Sequence, residues 1–171
     1  MKSRLISAIN AFCKPTTEVL EVKCLRPGVT LPLAATEGSV GFDLQACLGV
    51  KNIILEANVV HNIPTGIAVN FTDNYFGVVA IRSGVGAKRH IQLATQIGVI
   101  DSDYQGEIHL PLFSPKGGAI VHNLERLAQL VIFDRRKIRL RAVDNFSTET
   151  KRGINGFGST GAFYKKDVKN A

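Results

Sequence analysis

The stretch GVIDSDYQGEIHLPLF, residues 98–113, decides the fold. Apolar runs flank two aspartates, a tyrosine and a glycine. After the acidic patch, Ile108, Leu110 and Leu112 fall on every second residue, the period of a strand with one buried face. Pro111 in that run points to an edge or irregular position, because proline donates nothing to a ladder. Two strands joined through DSDYQG predict a hairpin that carries Asp101 and Asp103 near its turn. A turn that simply prefers aspartate accounts for those residues too, so the rest of the chain has to decide.

On both sides of this stretch the chain reads as short strands broken by glycine, proline and asparagine. VLEVKCL (19–25) alternates, GFDLQAC (41–47) is short and apolar, and 51–71 holds three strand-like pieces. YFGVVAI (75–81) suits a buried strand, IQLATQIGVI (91–100) has even apolar spacing, and RLAQLVIF (126–133) reads as a strand from its apolar C-terminal half. FDRRKIRLRAV sets Ile138, Leu140 and Ala142 against Lys137, Arg139 and Arg141, the pattern of a half-buried strand with a basic solvent face. Strands about every ten residues predict an all-β domain, a jelly-roll-like barrel, over residues 18–144. From Asn145 the composition turns glycine-rich, hydroxyl-rich and basic, which predicts a flexible C-terminal arm over 145–171.

Bulk properties narrow the function. A chain of 171 residues has volume for one sizeable core. No apolar run approaches the ~20 residues of a membrane span, so no membrane partner is expected. Cys13, Cys24 and Cys47 form no CxxC pair, and the four histidines show no ligand spacing, which argues against a disulfide framework and against zinc. The net charge of +7 attracts phosphates. No aromatic residues interleave with the cations of 135–141, so nothing offers a base-stacking platform and nucleic acid is not the expected partner. Residues 1–17 are basic and acid-free, as organelle-targeting peptides are. They are short and poor in arginine, however, and read as an extension on an intracellular protein of cytoplasm or nucleus.

Two motif matches fail on context. DSDYQG begins like an EF-hand loop, but position twelve is Leu112 where a bidentate glutamate is needed. GFGSTG (156–161) fits GxGxxG, yet only ten residues follow, too few for a βαβ unit. What survives is an anion-suited composition: glycines, two hydroxyls, and Arg152, Lys165 and Lys166 nearby. IRSGVGAK (81–88) offers the same chemistry with a cation, a hydroxyl and approachable backbone amides.

Five segments in order, GFDLQA (41–46), RSGVGAK (82–88), GVIDSDYQGEI (98–108), RLAQLVI (126–132) and RGINGFGSTG (152–161), resemble the motif set of the homotrimeric, all-β dUTPase family. The resemblance implies a β-clip type of jelly roll and hydrolysis of dUTP to dUMP and pyrophosphate, which limits uracil in DNA and supplies dUMP for thymidylate. It implies Asp101 as the base that activates water for attack on the α-phosphorus. Tyr104 would pack on the deoxyribose, and backbone around Gly98, Val99, Ile100 and His109, with Thr95 close by, would read uracil. Arg82, Ser83, Gly84 and Gln129 would cradle phosphate, and Mg²⁺ would ride on the triphosphate, touching Asp43 through water. Arg152, Phe157, Gly158 and Ser159 would close over the substrate from a neighbouring subunit. The departures are Asn155 in place of a glycine, Phe42 before Asp43, and His109 where a smaller residue is common. A dCTP deaminase-related enzyme or a non-catalytic binding module of the same fold stands as the alternative.

Overall fold

Each run of alternating residues must find a partner for its backbone and a core for its apolar face. The computed structural model describes residues 18–156, with eleven strands among them. They are β1 Glu21–Cys24, β2 Gly41–Gln45, β3 Asn52–Leu55, β4 Val60–Pro64, β5 Ile67–Asn70, β6 Tyr75–Ile81, β7 Gln92–Leu93, β8 Gly98–Ile100, β9 His109–Phe113, β10 Ala119–His122 and β11 Arg126–Asp134. All pair antiparallel, in sheets ordered β1-β5, β10-β3, β2-β11-β6-β8 and β4-β9-β7. The architecture is the expected all-β, jelly-roll-like one. Phe71, Leu44, Leu55, Ile67, Ile91, Ile108, Leu110, Leu112 and Leu127 fill the core.

Strand β9 and the residue before it follow the sequence pattern, burying Ile108, Leu110 and Leu112. Pro111 faces Asn62 of β4, and its carbonyl accepts from Ala94 just past the end of the β7 ladder. β9 is the middle strand of its sheet, so Pro111 is not on the edge strand expected for it; its missing donor instead ends the β7 ladder beyond Leu93.

Four local expectations are corrected. β8 and β9 do not form a hairpin: β8 pairs with β6, whereas β9 pairs with β4 and β7. Residues 101–108 therefore carry the chain from one sheet to another. IQLATQIGVI is not one strand but β7 and β8 separated by a turn, which leaves Ile97 and Val99 exposed. The loop expected at 83–88 is a helix, α1 Ser83–Arg89, which its two glycines disguised. Residues 135–141 form no strand, and Ile138 and Leu140 lie exposed, since none of the strands among the described residues pairs with this segment.

The chain divides into a body ending at Arg136 and a segment beginning at Lys137. Described residues of the second unit are exposed, with a turn at Arg152 whose Nε donates to the Asn155 carbonyl at 2.8 Å. Phe157, Gly158 and Ser159 lie outside the described residues.

Candidate active site

The β2–β11 pair builds the first cluster. Gln129 lies opposite Asp43, and Arg126 opposite Gln45. Residues 126 and 129 would normally face opposite sides of a strand. A register shift between Arg126 and Ala128 puts one extra residue into β11, which turns both side chains to the face carrying Asp43. Gln129 lies over Gly41, where an added Cβ would sit 2.4 Å from its Oε1. Gly41 is therefore required for the glutamine's position.

Asp43 is the centre of this cluster. Its Oδ1 is 3.2 Å from Arg82 Nε, and its Oδ2 accepts from Arg126 Nη1 at 3.0 Å. Arg82 also donates to the Arg126 carbonyl at 3.3 Å. Arg126 is the site residue that the sequence reading missed, although the fourth motif begins with it. Its part depends on a partner 83 residues away.

Arg82 precedes α1 and places Ser83 and Gly84 in the first helical turn, where amide N–H groups have no intrahelical acceptor. Together with Arg89, Glu125 and Arg126 they line a cleft of about 410 Å³. Three guanidiniums face two carboxylates there, counting Asp43, so the cleft is net positive. The chemistry suits phosphate oxygens.

A hydrated Mg²⁺ carried on a triphosphate fits this donor set. Among the described residues no three His, Cys, Asp or Glu side chains converge on one point. Each Asp43 oxygen is paired with an arginine, and its remaining lone pairs suit hydrogen bonds from metal-bound water.

Residues 98–109 build the second cluster. β8 is the edge strand of its sheet, so one side of Gly98–Ile100 pairs with β6 while the other side pairs with no strand among the described residues. Thr95 lies in the preceding exposed turn. Asp101 is exposed and lines a cleft of about 350 Å³ with Phe76, Ser102, Asp103 and Arg135. Tyr104 Oη donates to the Glu107 carbonyl at 2.8 Å, and His109 Nδ1 lies 3.0 Å from the same oxygen. The Tyr104 ring lies against Gly106, where an added Cβ would meet Oη at 2.6 Å.

The Glu107 carboxylate reaches the other way. Arg26 grips it through Nε at 3.0 Å and Nη2 at 2.8 Å, and the Gly66 N–H donates to it at 2.7 Å. The Arg26 bond, helped by Gly66, holds its pKa below the usual carboxylate value against the opposing effect of burial. The guanidinium of Arg26 is correspondingly pushed up.

The two clusters are far apart in one chain. Ile100 pairs with Gly77, so Asp101 lies beside Phe76, whereas Arg82 follows the other end of β6. Six residues of extended chain separate Phe76 from Arg82, about 20 Å at ~3.3 Å per residue. A general base has to lie within hydrogen-bond reach of the proton it takes, directly or through one water. Within one copy, Asp101 and Arg82 therefore lie at opposite ends of β6.

Comparison with known proteins gives a consistent result. The dUTPase family model matches residues 28–161. A deoxyuridine 5'-triphosphate nucleotidohydrolase of Ralstonia pickettii is 44% identical over 146 residues, covering 83% of this chain and 97% of that protein. One from Ralstonia nicotianae is 46% identical over 133 residues, covering 77% and 88%. Among solved structures, a Staphylococcus bacteriophage 80alpha dUTPase with dUpNHpp superposes with a TM-score of 0.76 at 25% identity, covering 85% of this chain and 99% of that one.

Proposed function

The chain belongs to the dUTPase family, and on that premise we propose that it hydrolyses dUTP to dUMP and pyrophosphate at a site assembled from more than one copy. Relatives named for this activity and a neighbour bound to dUpNHpp support the reaction. One observation carries the assembly. The expected base and the expected phosphate cradle lie at opposite ends of β6, yet the reaction needs them together.

In this reading the cradle of one copy binds the phosphates through Arg82, Arg126 and the first-turn amides of Ser83 and Gly84, with Gln129 beside them. Asp43 fixes both guanidiniums in advance, which lowers the cost of ordering them on binding. Asp43 would hold the water shell of a Mg²⁺ carried on the triphosphate, which when bound would neutralise phosphate charge. A second copy contributes the segment 98–109. Its Asp101 carboxylate orients a water and takes its proton as oxygen bonds to the α-phosphorus and pyrophosphate leaves. The free edge of Gly98–Ile100, with His109 and Thr95 near, reads uracil, and Tyr104 stacks on the sugar and leaves no space for a 2′-hydroxyl.

A homotrimer satisfies this geometry as a closed ring in which each site draws on neighbours. Ile138 and Leu140, exposed in the single chain, would be covered by a neighbouring copy in such a ring. Arg152, with Phe157, Gly158 and Ser159, closes the site from a neighbouring copy. The dUMP product feeds thymidylate formation, and removal of dUTP keeps uracil out of DNA.

Pyrophosphate release from dUTP, dTTP and dCTP with Mg²⁺, measured alongside molar mass, tests the proposal. The expected result is release from dUTP alone by a species of three chains. No release from dUTP, or full activity in a monomer, refutes it.

A further inference from the structure

We propose that Arg26 and Glu107 are positioning residues for sugar selection: they hold the segment that carries Tyr104 and His109 in register with the body. This rests on the reading of that segment as the nucleoside-binding element. Arg26 lies outside the five motif segments and before residue 28, where the family match begins.

Glu107 is a two-sided hub. Its carboxylate is held by both arms of the Arg26 guanidinium and by the Gly66 N–H. Its main-chain carbonyl receives the Tyr104 hydroxyl and lies within hydrogen-bond distance of His109 Nδ1. Any displacement of the Glu107 backbone therefore moves the Tyr104 ring and the His109 imidazole together.

The receptor for the carboxylate is a built structure. Gly66 has φ +71, and an added Cβ would sit 2.6 Å from Val29 Cγ2, so only glycine suits its conformation and its space. The Leu25 N–H donates to the Gly66 carbonyl at 2.7 Å, which ties Arg26 to the same turn. Thr65 and Ile67 clasp the next residue: Thr65 N–H and Oγ1 both donate to the Ile108 carbonyl, and the Ile108 N–H donates to the Ile67 carbonyl. The Glu107 side chain is mostly withdrawn from solvent, at 14% exposure. An ordinary surface ion pair lacks these supports.

Sugar selection needs this because no strand pairing fixes residues 101–107. With β8 in one sheet and β9 in another, the link has no ladder of its own. A ring that excludes a 2′-hydroxyl has to be held to within a fraction of an ångström.

The test uses the full-length protein and four chains: wild type, Arg26→Lys, Arg26→Met and Glu107→Gln. Pyrophosphate release is measured with dUTP and with UTP, and the ratio of their kcat/KM values is the readout. Inhibition by inorganic pyrophosphate reports on the cradle separately.

Arg26→Met is expected to lower the dUTP:UTP ratio about three- to tenfold, the loss of roughly one hydrogen bond of hold on Tyr104. Arg26→Lys, which keeps the charge but not the fork, falls between it and wild type. Inhibition by pyrophosphate stays unchanged in both. If Arg26→Met does not fold, Glu107→Gln decides, because its amide oxygen still accepts from Gly66 while the charge is gone. An unchanged ratio in a folded variant overturns the proposal, even where melting temperature drops, since a purely structural pair costs stability without changing selection. A wild type inactive on dUTP instead overturns the functional reading itself.

Discussion

Replacing Gly106 with alanine puts a methyl group where the Tyr104 ring now lies. The new Cβ would stand 2.6 Å from Tyr104 Oη and 2.7 Å from its Cζ, so the ring has to shift by roughly 1 Å to restore ordinary contact at ~3.5 Å. The ring is 44% exposed and free to swing outward, so the shift breaks its 2.8 Å bond to the Glu107 carbonyl without disturbing the core. Loss of that bond removes about 0.5–1.5 kcal/mol of hold on the ring, a factor of roughly two to twelve. Stability moves little. Gly106 has no positive φ, so alanine restricts the unfolded chain and returns about 0.4–1 kcal/mol. The melting temperature should stay within ~3 °C of wild type. Pyrophosphate release should show a dUTP:UTP ratio reduced about tenfold, and Tyr104→Phe, which keeps the ring but not the bond, should fall between. A Gly106→Ala enzyme with wild-type selectivity would refute the role given to Tyr104.

Three further outcomes follow from the same geometry. Asp101→Asn should lower kcat by about 10²–10⁴ with little change in melting temperature, because the side chain is exposed and bonds to no core group; near-normal turnover would remove it as the base. Arg126→Met should reduce kcat/KM for dUTP about fivefold, chiefly through KM, and weaken the salt dependence. The figure corresponds to about 1 kcal/mol, discounted because Arg126 is 55% exposed. Glu107 has its folded pKa depressed below the ordinary 4.5, so the stability it gives is present above that unfolded value and lost as pH falls through the folded one. Melting temperature should therefore fall more steeply for wild type than for Glu107→Gln on acidification below about pH 5.

Local chemistry was legible in the sequence. The alternation of Ile108, Leu110 and Leu112 identified a one-sided strand, and the structure buries all three. The even spacing of 91–100 misled, because alternation records which residues could share a face and not whether the chain turns between them. The two glycines of 83–89 hid a helix stabilised by its surroundings, not by propensity. The apolar and basic alternation of 137–141 pairs with no strand among the described residues, because alternation records a possible face and not whether a partner strand lies beside it. Pairings across the fold were not readable at all. Arg126 meets Asp43 through a register shift in β11, and Arg26 meets Glu107 across 81 residues. Residues 98–113 read as a hairpin in the sequence and do not form one in the structure. Their charge lies on a link between two sheets, steadied by side chains and not by a hairpin ladder.

The most direct measurement mixes two inactive proteins. Asp101→Asn and Arg82→Met chains, each unfolded and then refolded together in equal amounts, form oligomers of random composition. If each site takes Asp101 from one copy and Arg82 from another, about a quarter of the sites contain both intact residues. Recovered dUTP hydrolysis near a quarter of the wild-type rate is the expected result. A mixture as inactive as its two components would contradict the shared site.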